Sequence, residues 1–345
     1  MMKKVSLKDI ANKVGVSTAL VSYVLNNQKE GRIRKEVAQR IKETAKQLNY
    51  RTNLAARSLK TNRTFTIGLV VADISNSYFS TLARIIEDAA DQNNYTVIFG
   101  SSDENSKKSG KLIETLLNRQ VDGLIISPPE NSECQVESLI QEDIPFVLID
   151  RYFPAIKTNY VAIDNYKAAY EAVEHFIETG RKKIGMITYE SSIFTLTERT
   201  RGYQAALKEQ AISFNKNWLK GLSADNRGKS VEKAIDDLLK GPQVIDALLF
   251  STNTLAVAGL RYINSLNIKV PGELAIISFD QTEAFDLFYA PLTYIKQPLH
   301  EIGQMATKIL LENIGKHNEP VQLNIRAELV IRESTEAQKY KRILD

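Results

Sequence analysis

The sequence predicts an α/β chain in which a small all-α headpiece precedes two doubly wound parallel lobes. Three observations predict it. Charge is uneven: within a net +4 over 345 residues, positions 1–64 hold fifteen Lys and Arg against four Asp and Glu, a balance of +11 that leaves −7 for the rest. Apolar residues at helical spacing fill that basic segment, and from Phe65 onward β-rich runs alternate with helical stretches, the rhythm of a parallel sheet. Those runs also occur twice: "TIGLVVAD" is answered by "KIGMITYE", "VDGLIISPP" by "IDALLFSTN" and "IPFVLIDR" by "ELAIISFDQ".

Leu7, Ile10, Ala11 and Val14 stand at i, i+3, i+4 and i+7, and Ser6 with Asp9 forms an S-x-x-D capping box, so a helix of about two turns starts there. Gly15 can take the left-handed conformation that ends it, and Ser17 can cap a second helix. In that helix Leu20, Val21, Val24 and Leu25 face inward, while Thr18, Ala19, Ser22, Tyr23 and Asn26 face outward. Val37, Ile41, Ala45 and Leu48 repeat the spacing in a third helix, giving a helix-turn-helix unit with one small core. Many helical hairpins share this outline. The +11 charge favours DNA, because cationic residues that neutralise phosphates release counterions. The second helix of such a unit enters the major groove with its first residues toward the base edges.

The body begins with "FTIGLVVAD", a helix near Tyr78–Gln92 and "YTVIFGSS"; the second repeat starts near Lys183. Open α/β sheets bind ligands beyond the carboxyl ends of their strands. The polar residues there are Asp73, Asp150, Arg151, Asp164, Asn253 and Asp280, with Arg199 at a helix start and Tyr78 and Phe79 close behind Asp73. Carboxylates, an amide and arginine around aromatic faces suit a polyhydroxylated ligand such as a sugar. Aspartates at strand ends also cap helices, and that alternative stays open for Asp73 and Asp150.

The quoted segments "LKDIANKVGVSTALVSYVLN" and "NLAARSLKTNRTFTIGLVVADISNSYF" resemble the LacI/GalR family of bacterial transcription regulators, and the resemblance runs along essentially the whole chain. It implies a cleft between lobes like those of periplasmic binding proteins, with Arg199, Asp164 and Asp280 touching effector. It also implies that Asn53 to Lys60 is a hinge helix in the minor groove with Leu59 wedged between base pairs, in keeping with apolar wedges that kink DNA. The implied DNA-contacting set is Ser6, Thr18, Ala19, Ser22, Tyr23, Asn26, Arg34, Asn53, Ala56, Arg57, Leu59 and Lys60, and the implied effector set is Asp73, Tyr78, Phe79, Arg151, Asp164, Arg199, Asn253 and Asp280. Two positions depart from the family pattern near the DNA: Val14 replaces a common alanine, and Tyr23 stands where many relatives have arginine, which changes the base that is read. In "STNTLA", Thr254 replaces a usual aspartate.

By the same analogy, "PLTYIKQP" is the return crossing between lobes, followed by a helix near Leu299–Asn313. The expected divisions are a headpiece over 1–52, a hinge and linker over 53–64, a core over 65–334 and a tail over 335–345. Within the core, lobe one takes 65–163 and 294–322, and lobe two takes 164–293 and 323–334. The tail is too short for a coiled-coil seam.

The function expected is a ligand-responsive repressor or activator that binds palindromic operator DNA as a homodimer, because one helix-turn-helix reads only a half-site. A periplasmic-type solute-binding protein would share the lobes but needs an export signal and has no use for the basic headpiece. An enzyme is disfavoured: there is no G-x-G-x-x-G after the first strand, no G-x-S-x-G and no P-loop. No cofactor or metal is expected, since His175, His300 and His317 are not in metal spacing. The single cysteine, Cys134, forms no internal disulfide, and no apolar run approaches the ~20 residues that span a bilayer. The first residues lack the apolar stretch of a signal peptide, so the expected location is the cytoplasm and nucleoid.

Overall fold

The computed structural model describes residues 5–25, 32–50, 63–223, 227–241, 243–316 and 318–336. The chain divides into two units, Met1–Thr64 and Phe65–Asp345. The first holds α1 (Leu7–Val14), α2 (Thr18–Leu25) and α3 (Lys35–Gln47). Ser6 caps α1 by accepting from the Asp9 amide while the Asp9 carboxylate accepts from the Ser6 amide, and Gly15 closes the helix at φ +78°. Ser17 Oγ accepts from the Leu20 amide at 3.2 Å and so caps α2. Ile10, Ala11, Val14, Val21, Val24, Ile41 and Ala45 form one buried cluster, with Leu20, Leu25, Val37 and Leu48 half-buried around it.

The second unit contains two six-stranded sheets. The first sheet takes β1 (Thr66–Val71), β2 (Thr96–Ser101), β3 (Gly123–Ile126), β4 (Phe146–Ile149) and β5 (Tyr160–Ile163). The second takes β6 (Ile184–Tyr189), β7 (Leu219–Leu222), β8 (Ala247–Phe250), β9 (Ala275–Phe279) and β10 (Thr293–Lys296). Two late strands, β11 (Gln322–Ile325) and β12 (Glu328–Val330), complete them, giving the orders β11-β5-β4-β3-β1-β2 and β12-β10-β9-β8-β6-β7. The orders are equivalent strand for strand, as the repeated sequence runs require. They differ at one edge: β11 joins β5 in parallel, whereas β12 joins β10 antiparallel.

The helices are α4 (Ser77–Gln92), α5 (Ser106–Asn118), α6 (Glu133–Gln141), α7 (Asn165–Glu178), α8 (Phe194–Glu209), α9 (Arg227–Lys240), α10 (Asn253–Ile263) and α11 (Leu299–Asn313). Alternation along β1 shows how both faces are covered. Leu69 and Val71 pack with Leu82 and Ile86 of α4 and Ile302 and Ala306 of α11, while Val70 packs with Ile113 and Leu116 of α5. The second sheet is covered likewise, with Phe279 toward α7 and α8 and Phe250 toward α9 and α10. Strands buried on both faces read as continuous apolar runs.

The chain crosses between the sheets three times, and two crossings fall later than the sequence suggests. Residues 294–296 remain in the second sheet, because β10 pairs with β9 through Ile295 opposite Phe279. Residues 323–325 belong to the first sheet, because β11 pairs with β5 through Ile325 opposite Ile163. Nor does a tail begin at 335: Thr335 is buried, with its hydroxyl 2.9 Å from His175 Nε2 and 2.8 Å from Thr293 Oγ1.

Helices α7 and α8 meet closely at Gly202, where a Cβ would sit 2.1 Å from the Tyr166 carbonyl oxygen and 3.0 Å from Ala169 Cβ. Backbone cannot yield as a flexible side chain does. Gly202→Ala is therefore expected to destabilise the body by at least the ~1–3 kcal/mol typical of overpacking, read as a lower urea midpoint.

Candidate functional site

In this strand order the first strand of each sheet lies between the second and the third, so the connections after β1 and β3 leave on opposite sides and open a crevice at the carboxyl ends. The two crevices face one cavity of about 200 Å³. The first sheet contributes Asp73, Asn76, Tyr78, Phe79, Glu104, Glu130, Asp150 and Arg151. The second contributes Tyr189, Glu190, Thr195, Leu196, Arg199, Thr252, Thr254 and Asp280. Gln297, in the crossing that follows β10, lines it too.

Asp150 and Asp280 hold matching places in the two halves, each one residue beyond its strand, at φ +64° and +68°. That left-handed backbone is one that aspartate tolerates better than most residues. A row of polar contacts joins them, with the single Tyr78 hydroxyl proton shared between two acceptors. The Tyr78 hydroxyl lies 3.1 Å from Asp150 Oδ1 and 3.2 Å from Gln297 Oε1, and Gln297 Nε2 donates to Asp280 Oδ1 at 2.6 Å. Burial, with the charges of Asp150 and Asp280, pushes the Tyr78 phenol well above its ordinary range, so it stays a proton donor. Burial also raises the Asp150 carboxyl, outweighing Arg151 and Arg199 beside it.

The two guanidiniums are braced. Arg151 donates from Nη1 and Nη2 to the two Glu104 oxygens at 2.6 and 2.7 Å, and its Nε lies 3.4 Å from Asp150 Oδ2. Burial opposes its charge, but the Glu104 bonds win and raise its pKa. Arg199, 4% exposed, donates from Nε to Asn165 Oδ1 at 2.7 Å and from Nη1 to the Ser251 carbonyl, and lies over the Phe279 ring at 4.0 Å. Asn253 Nδ2 donates to Asn76 Oδ1 at 2.9 Å, and the Glu130 carboxylate accepts from the Ser192 amide, so both contacts tie one lobe to the other. Burial works against the Glu130 charge, yet the Ser192 bonds hold its pKa below the ordinary carboxylate value.

Of the residues read from sequence, Asp73, Tyr78, Phe79, Arg151, Arg199 and Asp280 line this cavity. Asn253 reaches it through Asn76. Asp164 does not line it: its Oδ1 accepts from the Lys167 amide at 2.9 Å, capping α7, beside a separate shallow depression with Glu171 and Arg326. Capping and binding aspartates look alike in sequence.

On the headpiece, Thr18 and Ala19 are exposed at the start of α2, Ser22 and Tyr23 are half-buried beside them, and Arg34 is exposed at the start of α3. The Ser6 hydroxyl is engaged with Asp9 at 2.6 Å. Asn26, Asn53, Ala56, Arg57, Leu59 and Lys60 lie outside the described residues.

Residues 64–333 match the family described as periplasmic binding proteins and sugar binding domain of LacI family, and residues 6–53 match bacterial regulatory proteins, lacI family. The chain belongs to the LacI family. This LacI-family chain is 31% identical to Catabolite control protein A of Priestia megaterium over 314 residues, covering 90% of this chain and 93% of that one. It is also 31% identical to the ribose operon repressor of Halalkalibacterium halodurans over 333 residues, 96% and 97% of the two chains. Its fold matches the lac repressor dimer solved with operator and the anti-inducer ONPF, at a TM-score of 0.83 and 22% identity over 97% of this chain and 100% of that chain. As a LacI-family protein it is a DNA-binding transcriptional regulator with a ligand-binding domain. No described helix is long and apolar enough to cross a membrane.

In this LacI-family site, sequence reasoning left out Asn76, Glu104, Glu130, Thr195 and Gln297. Gln297 had one signal: a polar residue between a strand and Pro298 in a segment already read as a crossing.

Proposed function

We propose that this regulator acts as a repressor, binds a palindromic operator as a homodimer, and has its operator affinity set by a sugar-like polyol held between the lobes. The observation that carries the reading is the chain from Asp150 through Tyr78 and Gln297 to Asp280, which runs from one lobe to the other across the cavity. A ligand that engages both ends favours one lobe arrangement over others, which is what effector control requires. Asp73, Tyr78, Phe79, Arg151, Arg199, Asn253 and Asp280 are the effector residues in this reading. Thr18, Ala19, Ser22, Tyr23 and Arg34, with Asn26 and the segment Asn53 to Lys60 including Leu59, face DNA. The exposed aromatics Phe99 on the edge strand β2 and Tyr289 support a homodimer, since apolar side chains left on a surface favour association. The cavity is a binding site rather than a reacting one, and the protein acts in the cytoplasm.

A thermal-shift screen of the full chain against sugars, amino sugars, sugar phosphates and nucleobases tests the reading. A ligand at 100-fold its Kd adds about 2.7 kcal/mol and raises Tm. Operator titration with and without the hit should then differ by roughly 5–150-fold. A hit that stabilises the protein and leaves operator affinity unchanged rejects effector control.

A further inference from the structure

Among the described residues, the cavity lining carries six carboxylates, from Asp73, Glu104, Glu130, Asp150, Glu190 and Asp280, and two cations, Arg151 and Arg199. Arg151 is closed in a two-bond pair with Glu104. Arg199 is held by Asn165 and the Ser251 carbonyl against Phe279, and its charge already acts on buried Asp150. Among the described residues, no lysine lines the cavity. An anion placed among these groups meets a surplus of like charge in a partly desolvated space, where repulsion is stronger than in water.

We propose that this cavity selects its effector by charge, admitting a neutral or aminated polyol and rejecting the phosphorylated or carboxylated form of the same molecule. The proposal rests on the polyol reading of the cavity and narrows it to a chemical class. The acidic groups have distinct parts in it. Asp280 and Asp150, buried or nearly so, are placed to accept from hydroxyls or an ammonium group, while Asp73 and the exposed Glu190 set the potential nearer solvent.

The test takes the sugar that stabilises the full chain in the screen and compares it by calorimetry with its amino and its phosphate derivative. The expected result is an amino sugar that binds at least as tightly as the parent and a phosphate that binds ~10-fold or more weakly. Because a phosphate is also bulkier, the same set is run on the double variant Asp73→Asn, Glu190→Gln, in which the gap between parent and phosphate should narrow. A phosphate that binds as tightly as its parent overturns the charge selection and leaves the polyol reading standing. A gap unchanged in the double variant also overturns it, assigning the discrimination to size. A screen with no sugar or amino-sugar hit overturns the polyol reading and this inference together.

Discussion

Removal of residues 1–64 is expected to abolish binding to a palindromic duplex and to leave effector binding intact. Specific complexes of this kind lie at roughly 10⁻⁸–10⁻¹¹ M, and the truncated chain should fall below detection. The residues removed carry +11 and those that remain carry −7, so the body alone is repelled by phosphate. The two units have separate cores: Ile10, Val21 and Ile41 belong to one, and Leu69, Leu82 and Ile302 to another. The body should therefore keep its unfolding transition. Fluorescence anisotropy with operator at two salt concentrations, followed by thermal melts, checks both halves. A truncated protein that still binds with the full chain's affinity would move DNA recognition off the headpiece.

Arg199→Ala is expected to lose effector response and also about 1–3 kcal/mol of stability, the cost of leaving its buried acceptors unsatisfied. The sequence presents Arg199 only as a ligand contact. In the structure it is a nearly buried cation whose removal leaves Asn165 Oδ1 and the Ser251 carbonyl without their donor and deprives Asp150 of a neutralising charge. Arg199→Lys should not restore it, because an ammonium cannot reproduce the two-directional fork or the flat contact with Phe279. Urea melts measure the first effect and effector calorimetry at a temperature where the variant is folded measures the second. A variant as stable as its parent would mean that Arg199 is a contact and nothing more.

The headpiece was legible because its signals are local: Ser6 and Asp9 are three residues apart, and Gly15 needs no distant partner to end a helix. The doubled lobes were legible because the inner strands, such as β1 and β9, are buried on both faces and so announce themselves as apolar runs. The cavity was legible only at strand ends. Glu130 enters it by accepting from Ser192, and Gln297 by bonding to Tyr78, and no spacing rule connects those pairs. Asp164 stands apart from the cavity because it caps α7, and a capping aspartate carries the same local pattern as a binding one. The late crossings at Lys296 and Ile325 were hidden because a strand's partner is not written in the strand.

The three crossings bear on how the protein is made. The first sheet's edge strand β11 and its covering helix α11 leave the ribosome long after β5, and at ~5–20 residues per second the roughly 160 residues between Ile163 and Ile325 take about 8–30 s. Through most of that interval the faces of Leu69 and Leu82 that await Ile302 and Ala306 stand uncovered. Neither half can finish early and shelter the other. A nascent chain of this topology is exposed to self-association until almost its last residues emerge, and its yield in the cell should depend on translation rate and chaperone supply more than that of a chain with two contiguous lobes.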